Sequence, residues 1–157
     1  MRVFYFNLKS RKYVTTVCFL IYIYLLLSVS FLGESIFFPT RLYGHYVDIS
    51  HNLIPFATIG NYLLNFQSYN FDTWFYNTFG NIVAFIPLGI LLPLIFDKIR
   101  RITQVIFISF MVSLIIEITQ YVSHLGVSDV DDIILNTMGG ILGFMILCLI
   151  KREALFN

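Results

Sequence analysis

The sequence predicts an all-α integral membrane protein, a four-transmembrane-helix bundle with an external segment that is interfacial or re-entrant. Two observations lead to this fold class: the composition is strongly apolar, and the basic residues fall on one side of four apolar runs. Charged residues make up 12% of the 157 residues, hydrophobic residues make up 58%, and the mean hydropathy is +0.81. Soluble domains typically carry about a quarter charged residues. Lipid is therefore the solvent that this composition fits.

Four apolar runs are long enough to cross a bilayer as helices. They cover residues 13–33, 73–96, 102–123 and 133–150. A helix needs about 20 apolar residues to cross about 30 Å of hydrocarbon, so the last run is near the minimum. Pro87 and Pro93 lie in the second run, where a membrane helix tolerates proline because neighbouring groups satisfy the freed carbonyls.

The lysines and arginines predict the orientation of these helices. Arg41 is alone on one side of the four-helix arrangement, and the other nine basic residues share the opposite side. These nine are Arg2, Lys9, Arg11, Lys12, Lys98, Arg100, Arg101, Lys151 and Arg152. Basic residues concentrate on the cytoplasmic side of membrane proteins. We therefore expect both termini and the 97–101 loop in the cytoplasm.

The connection over residues 34–72 is then external, and part of it is unusually apolar. Residues 52–64 read NLIPFATIGNYLL, which is too apolar for a freely solvated loop, so we expect an interfacial or re-entrant segment over the bundle. Aromatic residues in and after this stretch are typical of a belt at the outer interface. They are Tyr62, Phe66, Tyr69, Phe71, Trp74 and Tyr76. Residues 1–157 are expected to form a single domain.

Glu117 is the acidic residue that the third apolar run places within the membrane. It lies about six residues from the outer end of its helix, at a depth of roughly 9 Å. Ser113, four residues before it, and Gln120 and His124, three and seven residues after it, lie at helical spacing and predict one polar stripe. Ionisable residues at this depth are costly and usually mark a functional site. The alternative is that Glu117 only joins helices by hydrogen bonding.

A second polar face opens the fourth run. Asp129, Asp132 and Asn136 are spaced three and four residues apart and share one face, while Asp131 lies off it. Acids at a helix start can instead cap the helix, which explains Asp129 or Asp131 but not Asn136. Asn81 adds a polar residue from the second helix at a similar depth. Gly139 and Gly143, which follow on the fourth helix, form a small-xxx-small pair that allows another helix to approach closely.

These polar residues predict a pocket that opens outward, because a channel would spread polar residues over the whole depth. The pocket is acidic, and Arg41 is the lysine or arginine on its side of the membrane. An anionic ligand would therefore need a divalent cation, for which Glu117, Asp129 and Asp132 are the candidate ligands. Otherwise the pocket binds a cationic or neutral group.

Four motifs resemble the VanZ-like family, which is named for a membrane protein linked to resistance to the glycopeptide teicoplanin. They are NLIPF at 52–56, NTFGNIVAFIPLG at 77–89, SLIIEITQ at 113–120 and SDVDDIILNTMGG at 128–140. The resemblance covers residues 52–145 and implies a bacterial plasma-membrane protein connected with the cell envelope. The site residues that it implies are Asn52, Asn81, Glu117, Gln120, Asp129, Asp132 and Asn136. Many members carry an arginine just before the aspartate motif, where this chain has Gly126-Val127-Ser128.

Three functions follow as hypotheses. The leading one is an envelope protein that binds a lipid-linked cell-wall precursor or a glycopeptide antibiotic at the outer leaflet. The alternative is a membrane enzyme acting on a lipid head group or cell-wall precursor, with Glu117 or His124 as general base and aspartates as metal ligands. The third is a structural membrane subunit. Nucleic acid is not expected as a partner, because no basic run is interleaved with aromatic residues.

Overall fold

The computed structural model describes residues 8–37, 51–65, 67 and 74–156, and helices account for nearly all of this part. The five α-helices are α1 (Leu8–Phe37), α2 (Ala57–Leu64), α3 (Asn81–Ile95), α4 (Ile102–Ser123) and α5 (Val130–Phe156). All but the short α2 contribute to four helical spans with the length and hydropathy of transmembrane helices. The predicted fold class, an all-α bundle of four membrane helices, is confirmed.

The helix bounds agree with the apolar runs except at the ends and near residue 76. The α4 helix covers the predicted 102–123, and α5 begins at Val130 rather than at residue 133. Within the apolar run 73–96, Tyr76–Gly80 forms a π-helical turn before α3 begins. A π-helical turn holds an extra residue compared with an α-turn and is frequent at functional sites. Hydropathy cannot reveal it, since both helix types can be equally apolar.

Glycines allow α3 and α5 to pack with their backbones in contact. A Cβ atom on Gly139 would overlap the carbonyl oxygen of Ile82, and one on Gly143 would overlap the carbonyl oxygen of Ile86. Both contacts advance by four residues in the same direction, so the two helices are parallel. The predicted close approach at the small-xxx-small pair is confirmed. Such contacts are a main source of helix association in lipid, where no hydrophobic force acts between apolar helices.

The α1 helix packs against α3 and α4 mainly through apolar side chains. The buried cluster consists of Leu26, Phe85, Leu88, Leu92 and Ile116. The hydroxyl group of Tyr22 donates a hydrogen bond of 2.9 Å to the carbonyl oxygen of Ala84, which ties α1 to α3. Many other large apolar side chains on the long helices are exposed, as expected for surfaces that face lipid.

The two ends of the bundle differ in charge. Lys12 at the start of α1 lies 3.9 Å from Asp97 after α3, so these helices meet at the end where α4 begins. We call it the basic end because it also carries Lys98, Arg100 and Arg101. The pair itself contributes little, since both side chains are more than half exposed. The opposite end, where α4 finishes and α5 begins, holds Glu117, Asp129, Asp131 and Asp132 and is called the carboxylate end.

Replacing Gly143 by alanine should destabilise the bundle, because the added methyl group overlaps the backbone of Ile86 and forces the helices apart. We expect a loss of about 1–3 kcal/mol, the usual cost of overpacking, seen as a lower melting temperature of the detergent-solubilised protein. Gly60→Ala is the matched control, because nothing lies within 4 Å of its added Cβ. Equal melting temperatures for both variants would contradict the backbone contact.

Candidate functional site

Residues 51–65 belong to the connection that we expect to be external, and we call them the external segment. This segment is attached to the carboxylate end by a short backbone bridge. The amide of Asn52 donates to the carbonyl oxygen of Ser128 at 3.0 Å, and the amide of Val130 donates to the carbonyl oxygen of Asn52 at 3.0 Å. These bonds place Asn52 beside Asp129 as an isolated parallel bridge. Asn52 therefore lies at the start of α5 next to Asp129, another of the site residues that the family resemblance implies.

The side chain of Asp129 is occupied by hydrogen bonds from both segments. Its Oδ1 accepts from Asn52 Nδ2 at 2.9 Å and from the amide of Asp131 at 2.8 Å, and its Oδ2 accepts from the hydroxyl group of Thr58. The bond to the amide of Asp131 is the contact by which an N-cap residue satisfies the first turn of its helix. The capping interpretation thus holds for Asp129, which also secures the external segment.

Asp131 caps a different helix from its own. Its carboxylate is fully buried; Oδ1 accepts from the amide of Phe56 and Oδ2 accepts from the amide of Ile59 at 2.9 Å. The α2 helix has no side-chain cap of its own, and Phe56 at its N-cap has a left-handed backbone with φ 65°. Amides at a helix start need such acceptors, and a negative charge there is stabilised by the helix dipole.

The expectation for Asp131 therefore needs correction. Sequence periodicity left Asp131 off the polar face, with capping of its own helix as one explanation, whereas the structure makes it the link between α2 and α5. The signal in the sequence is weak: no Ser, Thr, Asp or Asn stands immediately before α2, at residue 56, so this helix needs an acceptor from elsewhere.

Glu117 ties α4 to the start of α5. It is buried, and its Oε2 accepts from the amide of Asp129 at 2.8 Å. The side chain of Ser128 lies close to it, while the amide of Ser128 donates to His51 Nδ1 at 3.2 Å. A buried carboxylate is tolerated when hydrogen-bond donors surround it. These contacts give Glu117 a structural task in addition to any role in ligand binding.

Asp132 occupies the centre of the carboxylate cluster, which we define as Glu117, Asp129, Asp131 and Asp132. The other three carboxylates lie close enough to interact with it electrostatically, and the side chain of Asn81 hydrogen-bonds to it. The structure therefore brings together the predicted positions on α3, α4 and α5.

Two amide side chains next to the cluster have open acceptors. Asn136 Nδ2 donates to Ser113 Oγ at 2.8 Å, and Gln120 Nε2 donates to the carbonyl oxygen of Ser30 on α1 at 2.8 Å. Both residues are more than nine-tenths buried. Neither Asn136 Oδ1 nor Gln120 Oε1 has a hydrogen-bond partner among the described residues. Gln120 lies one turn from Glu117 on α4, and Asn136 lies one turn from Asp132 on α5.

The predicted polar stripe on α4 ends before His124. The helix stops at Ser123, and His124 adopts a left-handed backbone with φ 55°. Its exposed ring lies 6.1 Å from the ring of His51. The helical-spacing expectation is thus wrong for this residue, because the chain turns there toward α5. A catalytic role for His124 or Glu117 stays a prediction.

Metal binding also stays a prediction. Within the described ranges, no three His, Cys, Asp or Glu side chains are arranged to hold a metal ion. Of the proposed ligands, Asp129 already uses both oxygens in hydrogen bonds, and Glu117 uses Oε2. Predictions that involve Arg41, Phe66, Tyr69 and Phe71 fall outside the described residues, as does the side chain of Tyr76.

Fold and site together define a multi-pass α-helical membrane protein with a buried carboxylate network at one end. The chain belongs to the VanZ/LLP1 family, whose family model matches residues 19–151. It is 34% identical over 99 residues to Protein VanZ of Enterococcus faecium, covering 63% of this chain and 53% of that protein. The chain thus spans about half the length of this curated relative. No solved structure matches it.

Removing the Asp131 carboxylate should release α2 from the bundle. We expect faster amide hydrogen exchange at residues 56–60 in Asp131→Ala, by about tenfold or more, because a hydrogen bond to a charged group contributes about 1.5–3 kcal/mol. Asp131→Asn, which keeps one acceptor oxygen, should be intermediate. Asp97→Ala removes an exposed carboxylate at the basic end and serves as the control. Unchanged exchange in both Asp131 variants would show that other contacts hold α2.

Proposed function

We propose that this protein resides in the bacterial plasma membrane with both termini in the cytoplasm and the carboxylate end toward the outside. Support comes from the distribution of basic residues: the described lysines and arginines lie in α1's first turns, in the 97–101 loop and near the end of α5. All three places belong to the basic end. The positive-inside rule assigns such an end to the cytoplasm.

We further propose that the protein lowers susceptibility to a glycopeptide such as teicoplanin by binding the antibiotic or a lipid-linked cell-wall precursor at the outer leaflet. Family membership supports the envelope connection. The observation that carries the binding proposal is the pair of buried acceptors, Asn136 Oδ1 and Gln120 Oε1, which lack described partners beside the carboxylate cluster. Buried polar atoms usually find a partner, and a ligand donor would supply it.

The chemistry of the site favours a ligand that presents hydrogen-bond donors. The amide nitrogens of Asn136 and Gln120 already donate within the protein, so their oxygens are the groups left to contact a ligand. The cluster adds negative charge, and the described lysines and arginines are at the other end. An anionic head group would meet like charge here. Hydroxyl, amide or ammonium groups of a sugar or peptide portion fit the site, and a diphosphate does not.

The aspartates would then divide into two roles. Asp129 and Asp131 accept from the backbone and side chains of the external segment, so they hold the structure together. Asp132 interacts with the side chain of Asn81, and it is the carboxylate that we assign to the ligand together with Asn136. Glu117 supports the site through the amide of Asp129.

Asp132→Asn and Glu117→Gln should each abolish resistance while the protein accumulates normally. Both substitutions remove a carboxyl group but keep an oxygen that can accept the hydrogen bonds seen here. The measurement is the teicoplanin concentration that inhibits growth, with membrane abundance read by immunoblot. Asp97→Asn, at the basic end, should retain full resistance. Wild-type resistance in both site variants would overturn the assignment.

A ligand should remain attached to the purified wild-type protein. Native mass spectrometry from lipid nanodiscs is expected to show an added mass of a cell-wall precursor, or of teicoplanin when it is supplied. Asn136→Leu should lose that mass, because the open acceptor is replaced by an apolar group of similar size. Absence of any ligand mass from the wild type would contradict the binding proposal. A retained metal ion that chelator removes together with activity would favour the enzyme alternative.

A further inference from the structure

The α2 helix and the turn before it expose an unusually apolar surface. This surface consists of five side chains, whose exposed fractions range from 59% to 85%. They are Leu53, Ile54, Phe56, Leu63 and Leu64. No charged residue occurs between positions 52 and 65. A surface of this kind on a short segment calls for an apolar partner, because contiguous exposed apolar patches mark membrane or protein contacts.

The location of this surface is fixed by the start of α5. Asp131 accepts from two amides at the beginning of α2, and Asp129 accepts from Asn52 and Thr58. The part of α5 that has the length and hydropathy of a membrane span begins at Val130, between these two aspartates. The first turn of α2 is therefore held beside the first turn of this apolar helix, where we expect the bilayer to begin. With eight residues, α2 is about 12 Å long and cannot cross the membrane.

The two sides of α2 differ in a way that indicates which side meets the bundle. Thr58 points its hydroxyl group at Asp129, and Tyr62, one turn later, is partly buried. Leu63 and Leu64 are exposed at 71% and 85%. The helix thus attaches to the carboxylate end at Thr58 and presents Leu63 and Leu64, together with the exposed Asn61, away from it.

We propose that residues 53–64 form an interfacial anchor whose apolar side chains insert into the lipid leaflet at the carboxylate end. Lipid is the partner that fits this surface, because the surface carries no charge and lies beside the start of the apolar helix α5. Like the exposed sides of the long helices, it consists of large apolar side chains. Amphipathic helices bind the boundary between head groups and acyl chains in this way. Asp131 then lies beneath a lipid-facing helix, so α2 shields the carboxylate cluster on that side.

Spin labelling of the full-length chain in phosphatidylglycerol–phosphatidylethanolamine nanodiscs tests this proposal. Cys18 and Cys148 are replaced by alanine, and single cysteines are introduced by Ile54→Cys or Leu64→Cys for nitroxide labelling. Ile115→Cys, on the exposed side of α4, is the lipid reference, and Lys98→Cys, in the exposed loop at the basic end, is the aqueous reference.

Labels at positions 54 and 64 should resemble position 115, with high accessibility to oxygen and low accessibility to a water-soluble nickel chelate. Accessibility to the nickel chelate equal to that of position 98 would overturn the proposal, since the surface would then face water. Low accessibility to both reagents, or dipolar broadening between labels, would also overturn it, because a protein or a second copy would cover the surface.

Discussion

The bond between the Asp131 carboxylate and the two amides at the start of α2 is the interaction on which the carboxylate end depends. A fully buried carboxylate is very costly unless donors surround it. The first amides of a helix are also costly to bury without acceptors, and this helix has no side-chain cap of its own. The same two hydrogen bonds therefore supply donors to the carboxylate and acceptors to the helix start. The external segment and α5 consequently form one structural unit, although 75 residues separate Phe56 from Asp131 in the chain.

The same principle explains how four carboxylates can share one end of the bundle. Glu117, Asp129 and Asp131 each accept at least one backbone amide, so their charge is dispersed over peptide groups that needed acceptors anyway. Asp132 interacts instead with the amide side chain of Asn81 and with its acidic neighbours. A side-chain donor can rotate away, while a backbone amide in a helix start cannot. This contrast separates the three carboxylates that build the end from Asp132, the one that we propose to contact a ligand.

Hydropathy was sufficient for the four membrane helices, and α4 begins and ends where its apolar run does, because transfer from water to lipid depends on local composition. The cost of burial also selected Glu117, Asp132 and Asn136 correctly as buried or clustered polar positions. Asp131 was missed because its partners are backbone amides, which every residue carries and no motif displays. The π-helical turn before α3 and the turn at His124 were missed for a related reason: helical spacing assumes an unbroken α-helix, and tertiary contacts decide where that assumption fails.

The glycine contacts between α3 and α5 belong to the residues that hold the helices together, which we call the frame, as distinct from the residues of the candidate site. They set the distance between the two backbones through Gly139 and Gly143, without any polar side chain. Asn81 is the first residue of α3, and the backbone contact at Ile82, one residue later, brings it close to α5. The position of Asn81 therefore does not depend on its own bond to Asp132. The side chain at position 132 can therefore be substituted while the packing of α3 against α5 is kept. No such freedom exists at 131, where the carboxylate itself is part of the frame.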